Sequence, residues 1–199
     1  MTGNLVLLGI AIGQGQLAGS LRSVIAFAGF VIGFSLGVRL TQGFPFLSGG
    51  GQSVGGATPL WPRSASLALL AELALLLGLF AGWELTGVRQ APVALDILIA
   101  FSAGAMGMQT AAARRIGVVG VTTTFVTGML TGLLAALVTA GGSGRSEWTL
   151  WAATLAGLVI GAAAGAAVFI AWRPGAPLVA ILLVGSVLVA ATGLTRRSD

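Results

Sequence analysis

The sequence predicts an all-α fold, a polytopic transmembrane helix bundle with an internal duplication and six to seven spans. Three observations lead there. Apolar residues make up 56% of the 199 and charged residues only 8%, whereas a soluble domain carries about 25% charged residues to cover its surface. Apolar runs recur at roughly the 20-residue length that crosses a hydrocarbon core. Finally, AGFVIGFSLG at 28–37 is written again as AGLVIGAAAG at 156–165. Both copies place glycines at i, i+4 and i+8: Gly29, Gly33 and Gly37, then Gly157, Gly161 and Gly165. On a helix this spacing makes one stripe without side chains, against which another backbone can pack in lipid. Both stripes are assigned to helix packing.

The elements follow in order. Residues 1–14 form an apolar segment too short to span and without the basic start or cleavage site of a signal peptide. Residues 20–40 are the first full span, with Arg22 and Arg39 near its ends. A polar connection, 41–63, contains SGGGQSVGGATP, a flexible loop composition, and ends in an interfacial Trp61-Pro62-Arg63. Residues 64–85 make a leucine-rich span interrupted by Glu72. Residues 93–113 form a weaker span containing Asp96, Ser102 and Gln109 and closing on Arg114-Arg115. Then come 122–140, the loop GGSGRSE, a span at 148–172 with the second glycine stripe, and a last span at 176–194.

Composition removes several functional classes. The net charge of +5 comes from ten arginines scattered at segment ends, which suits interfacial anchoring and excludes nucleic acid as a partner. There is no Cys and no His, so thiolate chemistry, disulfides and most zinc or haem sites are excluded; no metal and no cofactor is expected. Tyr is absent too. Without a nucleophile–base pair or a carboxylate pair, the chain is not read as an enzyme.

Met1-Thr2-Gly3 resembles Val126-Thr127-Gly128, so each half reads as a TG-containing helix, a glycine-striped helix and an apolar span. The division is 1–88 for the first half and 89–199 for the second, within one membrane domain. If 93–113 crosses fully, there are seven crossings and the halves run parallel, the reading taken here. If it joins 122–140 in one broken crossing, the repeat is inverted. With seven crossings the arginines split five against five (22, 89, 145, 196, 197 versus 39, 63, 114, 115, 173). The positive-inside rule therefore gives no orientation.

The run GAMGMQTAAARRIGVVGVTTTFVTGMLTGL, 104–133, resembles the signature region of the YoaK-like family of bacterial membrane proteins, DUF1275. That family's pattern is GMQN, then arginines, then a TT..TGTLT segment. The opening MTGNLVLLG is similar to the family's other signature, which normally follows an earlier helix. That helix has no counterpart ahead of Met1, so a start at an internal methionine is expected, and Thr110 stands where the family often has Asn. The resemblance implies a multi-pass protein of the bacterial cell (inner) membrane. It implies no activity and no site residue.

Candidate residues therefore rest on chemistry. Glu72 lies roughly 12 Å into its span at 1.5 Å per residue. A charge at that depth costs on the order of 2.5 kcal/mol or more, so the side chain should face the interior, carry a proton or pair. It is either a proton- or cation-coupled site or an acid bonded to a neighbouring backbone. Gln109 is a substrate-reading amide or interhelical glue. Thr123, Thr127 and Thr131 form a hydroxyl stripe that lines a polar pathway or bonds its own helix; Thr2 and Asn4 are the corresponding positions of the first half. Arg114 and Arg115 are a phosphate or lipid-headgroup site or an interfacial stop. The expected function is a small-molecule or ion permease using these interior polar groups. The alternative is a structural or accessory membrane protein, an assembly factor or oligomeric scaffold. Expected partners are the bilayer, a small-molecule or ion substrate and further copies of the chain.

Overall fold

A computed structural model describes residues 2–42, 61–87, 91–116, 126–138 and 145–195. Seven α-helices occupy the described residues: α1 (Thr2–Gly13), α2 (Leu17–Gln42), α3 (Arg63–Thr86), α4 (Pro92–Ile116), α5 (Val126–Val138), α6 (Arg145–Ala171) and α7 (Ala176–Thr195). A single 3-10 turn, Arg173–Gly175, precedes α7. Five helices are long and apolar enough to cross a membrane, namely α2, α3, α4, α6 and α7, whereas α1 and α5 are shorter apolar helices. The chain is thus an all-α, multi-pass membrane protein. Its spans are slightly longer than the apolar runs alone predict, because flanking polar residues continue each helix toward the interface.

The helices divide into two compact units. One holds Met1–Ile116 and Pro177–Asp199, the other Gly117–Ala176. This differs from a division into 1–88 and 89–199, because α4 packs with α2 and α3 and α7 joins them.

The first unit is built around the α2–α4 contact. Its closeness comes from glycine on both sides. A Cβ on Gly29 would stand 2.9 Å from the Ala100 carbonyl oxygen, and one on Gly33 would overlap the Gly104 carbonyl. A Cβ on Gly37 would stand 2.6 Å from Ala111 Cβ. From the other side, a Cβ on Gly107 would meet the Phe30 carbonyl at 2.5 Å. Residue numbers rise together along both helices, so α2 and α4 run parallel. At the end where both start, Arg22 Nε lies 3.5 Å from Asp96 Oδ1. At the other end the Arg114 guanidinium lies 5.8 Å from the centre of the Phe34 ring.

The α1–α2 hairpin turns through a Schellman closure. Gln16 N–H donates to Ala11 O at 2.8 Å and Gly15 N–H to Ile12 O at 3.1 Å. Gly15 holds φ +67, the left-handed conformation that glycine adopts without a Cβ penalty. Helix α3 runs antiparallel to α4, with Ala68 and Leu69 against Ala112 and Leu76 against Ala105. Val184 and Leu188 of α7 add to these clusters through side chains. Before α3, Trp61 Nε1 donates to Ser66 Oγ at 2.8 Å and fixes the indole at the helix start.

In the second unit α5 meets α6 where Gly132 lies under the Trp151 ring, 2.7 Å from a would-be Cβ. The second glycine stripe makes no such contact within its own unit. No described atom lies within 4 Å of a Cβ placed on Gly157, Gly161 or Gly165. The reason is geometric. Trp151 points roughly 80° around α6 from the middle of that stripe at 100° per residue, and the indole, not the glycines, makes the contact with Gly132. Small residues permit close approach without compelling it.

Two outcomes follow. Gly33→Leu separates α2 from α4 and lowers the thermal midpoint of the detergent-purified protein strongly, whereas Gly161→Leu changes it little; equal effects would contradict the asymmetry of the stripes. The Arg22–Asp96 pair is partly exposed, with side chains 43% and 22% accessible, so a double-mutant cycle of Arg22→Gln and Asp96→Asn should give a coupling below about 1 kcal/mol. A coupling several times larger would show a desolvated pair.

Candidate functional site

A carboxyl in a membrane span is expensive unless it has a partner, so the surroundings of Glu72 decide what it can do. On α3 the buried positions are Ala65, Ala68, Leu69, Glu72 and Leu76, one helical face. That face is turned toward α4. Glu72 stands one turn from Ala68, which contacts Ala112, and one turn from Leu76, which contacts Ala105. It is only 3% exposed. Its Oε2 is shielded from solvent and has no hydrogen-bond partner among the described residues. The helical period alone puts a polar atom inside an alkyl layer, and nothing nearby neutralises it.

Gln109 faces elsewhere. It is exposed and lines an open cavity of about 270 Å³ between α3, α4 and α7. Trp61, Leu69, Ala112, Ala113 and Val187 are among its walls. The cavity is chiefly alkyl, with Ser186 a further polar group. The Ser186 hydroxyl donates to Leu183 O at 2.7 Å, and the Trp61 indole donates to Ser66. Among the described residues the Gln109 amide makes no hydrogen bond, which leaves it open to an occupant.

Thr127 and Thr131 lie on α5, in the other unit, and both are exposed. Thr131 Oγ1 donates to Thr127 O and Gly128 O, each at 3.0 Å, the self-bonding of a membrane threonine. Thr123 and the side chain of Thr2 lie outside the described residues. Asn4 is half-buried on α1 and engaged by a neighbouring group. Arg114 stacks on Phe34, and Arg115 is exposed beside it. Among the described residues no three ligating side chains gather to hold a metal ion.

Sequence reading missed two features. The Arg22–Asp96 pair needs α2 and α4 to be parallel and adjacent, which no local pattern announces. The cavity needs α7 beside α3 and α4, three segments separated by long stretches of chain. Ser186 carries no periodic signal of its own.

Comparison with known proteins agrees with the helical, membrane-embedded architecture. The family model "Protein of unknown function (DUF1275)" matches residues 1–192. The "UPF0700 transmembrane protein YoaK" of Bacillus subtilis (strain 168) is 36% identical over 135 residues, which cover 67% of this chain and 52% of that protein. The chain therefore spans about half the length of this curated relative. No solved structure matches. With the family model running across almost the whole chain and both of its expected motifs in order, the chain belongs to the DUF1275 family of multi-pass membrane proteins.

Proposed function

We propose that the chain acts as a small-molecule or ion permease in a bacterial cell membrane, with Glu72 as the group that couples movement to a proton. One observation carries the reading: a carboxyl oxygen sealed inside a span with no bonding partner among the described residues. A buried acid at such a place gains or loses a proton only when its surroundings change, which is the property that coupled transport uses. A proton is favoured over a metal ion, because no second or third ligating side chain stands with Glu72 among the described residues.

The internal duplication supports the same reading. Each unit contains a short apolar helix followed by a long glycine-striped one, α1–α2 and α5–α6, and the two stripes share a decapeptide pattern. Repeats of this kind are a common transporter architecture. The chain is read as a permease and not as an enzyme.

A second reading has its own observation. The glycine stripe of α6, which meets no described neighbour in its own unit, suits a structural or accessory protein that joins further copies of itself.

Reconstitution in liposomes under an imposed pH gradient separates the two. With a panel of amino acids, sugars, nucleosides, organic anions and monovalent cations, the permease reading predicts uptake of one class. Glu72→Gln, which keeps the shape of the side chain and removes its proton chemistry, reduces that uptake at least about tenfold, the scale of a lost 1.4 kcal/mol interaction. Uptake equal to that of empty vesicles across the panel, or uptake unchanged by Glu72→Gln in a protein that still elutes as one species, would remove the proposal.

A further inference from the structure

Arginine is not spread evenly over the first unit. Arg39 closes α2, Arg63 opens α3, and Arg114 and Arg115 close α4. The packing of Leu69 on Ala112, and of Arg114 on Phe34, brings these segment ends to the same end of the bundle. No acidic side chain accompanies them there among the described residues. The opposite end holds Arg22 with Asp96, and Glu84. Among the described residues the charges at this end, at the level marked by Trp61, are arginines.

The cavity between α3, α4 and α7 begins at this end. Trp61, Ala113 and Ile116 are among its walls near the interface, and Leu69 and Gln109 lie deeper. Leu69 is six residues past Arg63 and Gln109 six before Arg115, so the groove descends roughly 9 Å at 1.5 Å per residue. Its volume of about 270 Å³ falls just below the roughly 300–1,000 Å³ of sites that enclose small molecules. It is open along its length, alkyl-lined, and carries one amide, Gln109, without a hydrogen bond among the described residues. An amphiphile with a chain in the groove and an anion at the mouth satisfies all three features.

We propose that this groove is a binding site for an anionic phospholipid. One acyl chain lies along Leu69, Ala112, Ala113 and Val187, Gln109 donates to the glycerol-ester region, and the phosphate rests against Arg115, while Arg114 is held on Phe34 at the α2 side. Arginine suits this task because its planar fork meets phosphate oxygens in pairs. Each cation near the surface adds a modest increment of attraction to acidic lipid. The site is independent of Glu72 and of any transported solute.

The test uses the full chain in neutral detergent. Lipid retained through purification is measured by mass spectrometry, and thermal midpoints are read with added phosphatidylglycerol, phosphatidylcholine or glycerol phosphate. The expected result is retention of phosphatidylglycerol over phosphatidylcholine and a higher midpoint with the former alone. Arg115→Gln lowers the preference by roughly fivefold, whereas Arg114→Gln, on the Phe34 side of α4, changes it little. Ala113→Trp fills the groove and reduces retention of both lipids; Ala113→Leu, a gentler filling, does so partially and keeps the assay informative should the larger residue disturb folding. Equal retention of the two lipids, stabilisation by glycerol phosphate as strong as by the lipid, or unchanged retention in both filled variants would overturn the proposal.

Discussion

The backbones of α2 and α4 lie against each other at Gly33 and Gly104, with only the small side chains of alanine and the Met108 thioether beside that contact, and the rest of the first unit is arranged around it. Lipid gives no hydrophobic reward for pressing two apolar helices together, so association rests on dispersion and on how near the helices can come. Gly29, Gly33 and Gly37 on one helix meet Ala100, Gly104, Gly107 and Ala111 on the other. This approach fixes the parallel course of the two helices. It then sets Arg22 near Asp96 at one end and Arg114 over Phe34 at the other. Helix α3 fits the remaining side of α4 with larger side chains, Leu69 and Leu76, packed on Ala112 and Ala105.

The α3 face that packs on α4 is alkyl apart from one residue, which is why Glu72 stands out. Its neighbours along the α3 face are alanine and leucine. Its oxygen has no hydrogen-bond partner among the described residues and, unlike Asp96 Oδ1, which has Arg22 3.5 Å away, no counter-charge among them either. Such local conflict within a consistent fold is where functional chemistry is expected. The groove between α3, α4 and α7 has a different character: it is alkyl-lined and lies toward the end of the bundle where Arg39, Arg63, Arg114 and Arg115 stand.

Much of the architecture was legible from periodicity. The five long helices sit where apolar runs of spanning length occur, and the α2 stripe could be read directly from three glycines at four-residue spacing. Its partner could not. The stretch that became α4 looked weak because Asp96, Ser102 and Gln109 interrupt its hydrophobicity, yet its small residues form the other half of the seam. The α6 stripe shows the converse limit, since the same spacing leaves Gly157, Gly161 and Gly165 without a neighbour in their unit. A face able to accept a helix does not reveal whether one sits on it. Glu72 was legible as an anomaly because charge is rare in a span. The surroundings of Gln109 were not, because α3, α4 and α7 meet there from distant parts of the chain.

Disulfide trapping in native membranes tests the α2–α4 seam most directly, because the chain contains no cysteine of its own. A Cβ on Gly29 lies 3.3 Å from Ala103 Cβ, close to the roughly 3.5–4.5 Å that a disulfide bridges. Gly29→Cys with Ala103→Cys should therefore crosslink within one chain under mild oxidation. Phe27→Cys with Ala103→Cys should not, since Phe27 is on the exposed side of α2. Failure of the first pair to crosslink, or crosslinking of both pairs to the same extent, would contradict the seam on which this structure depends.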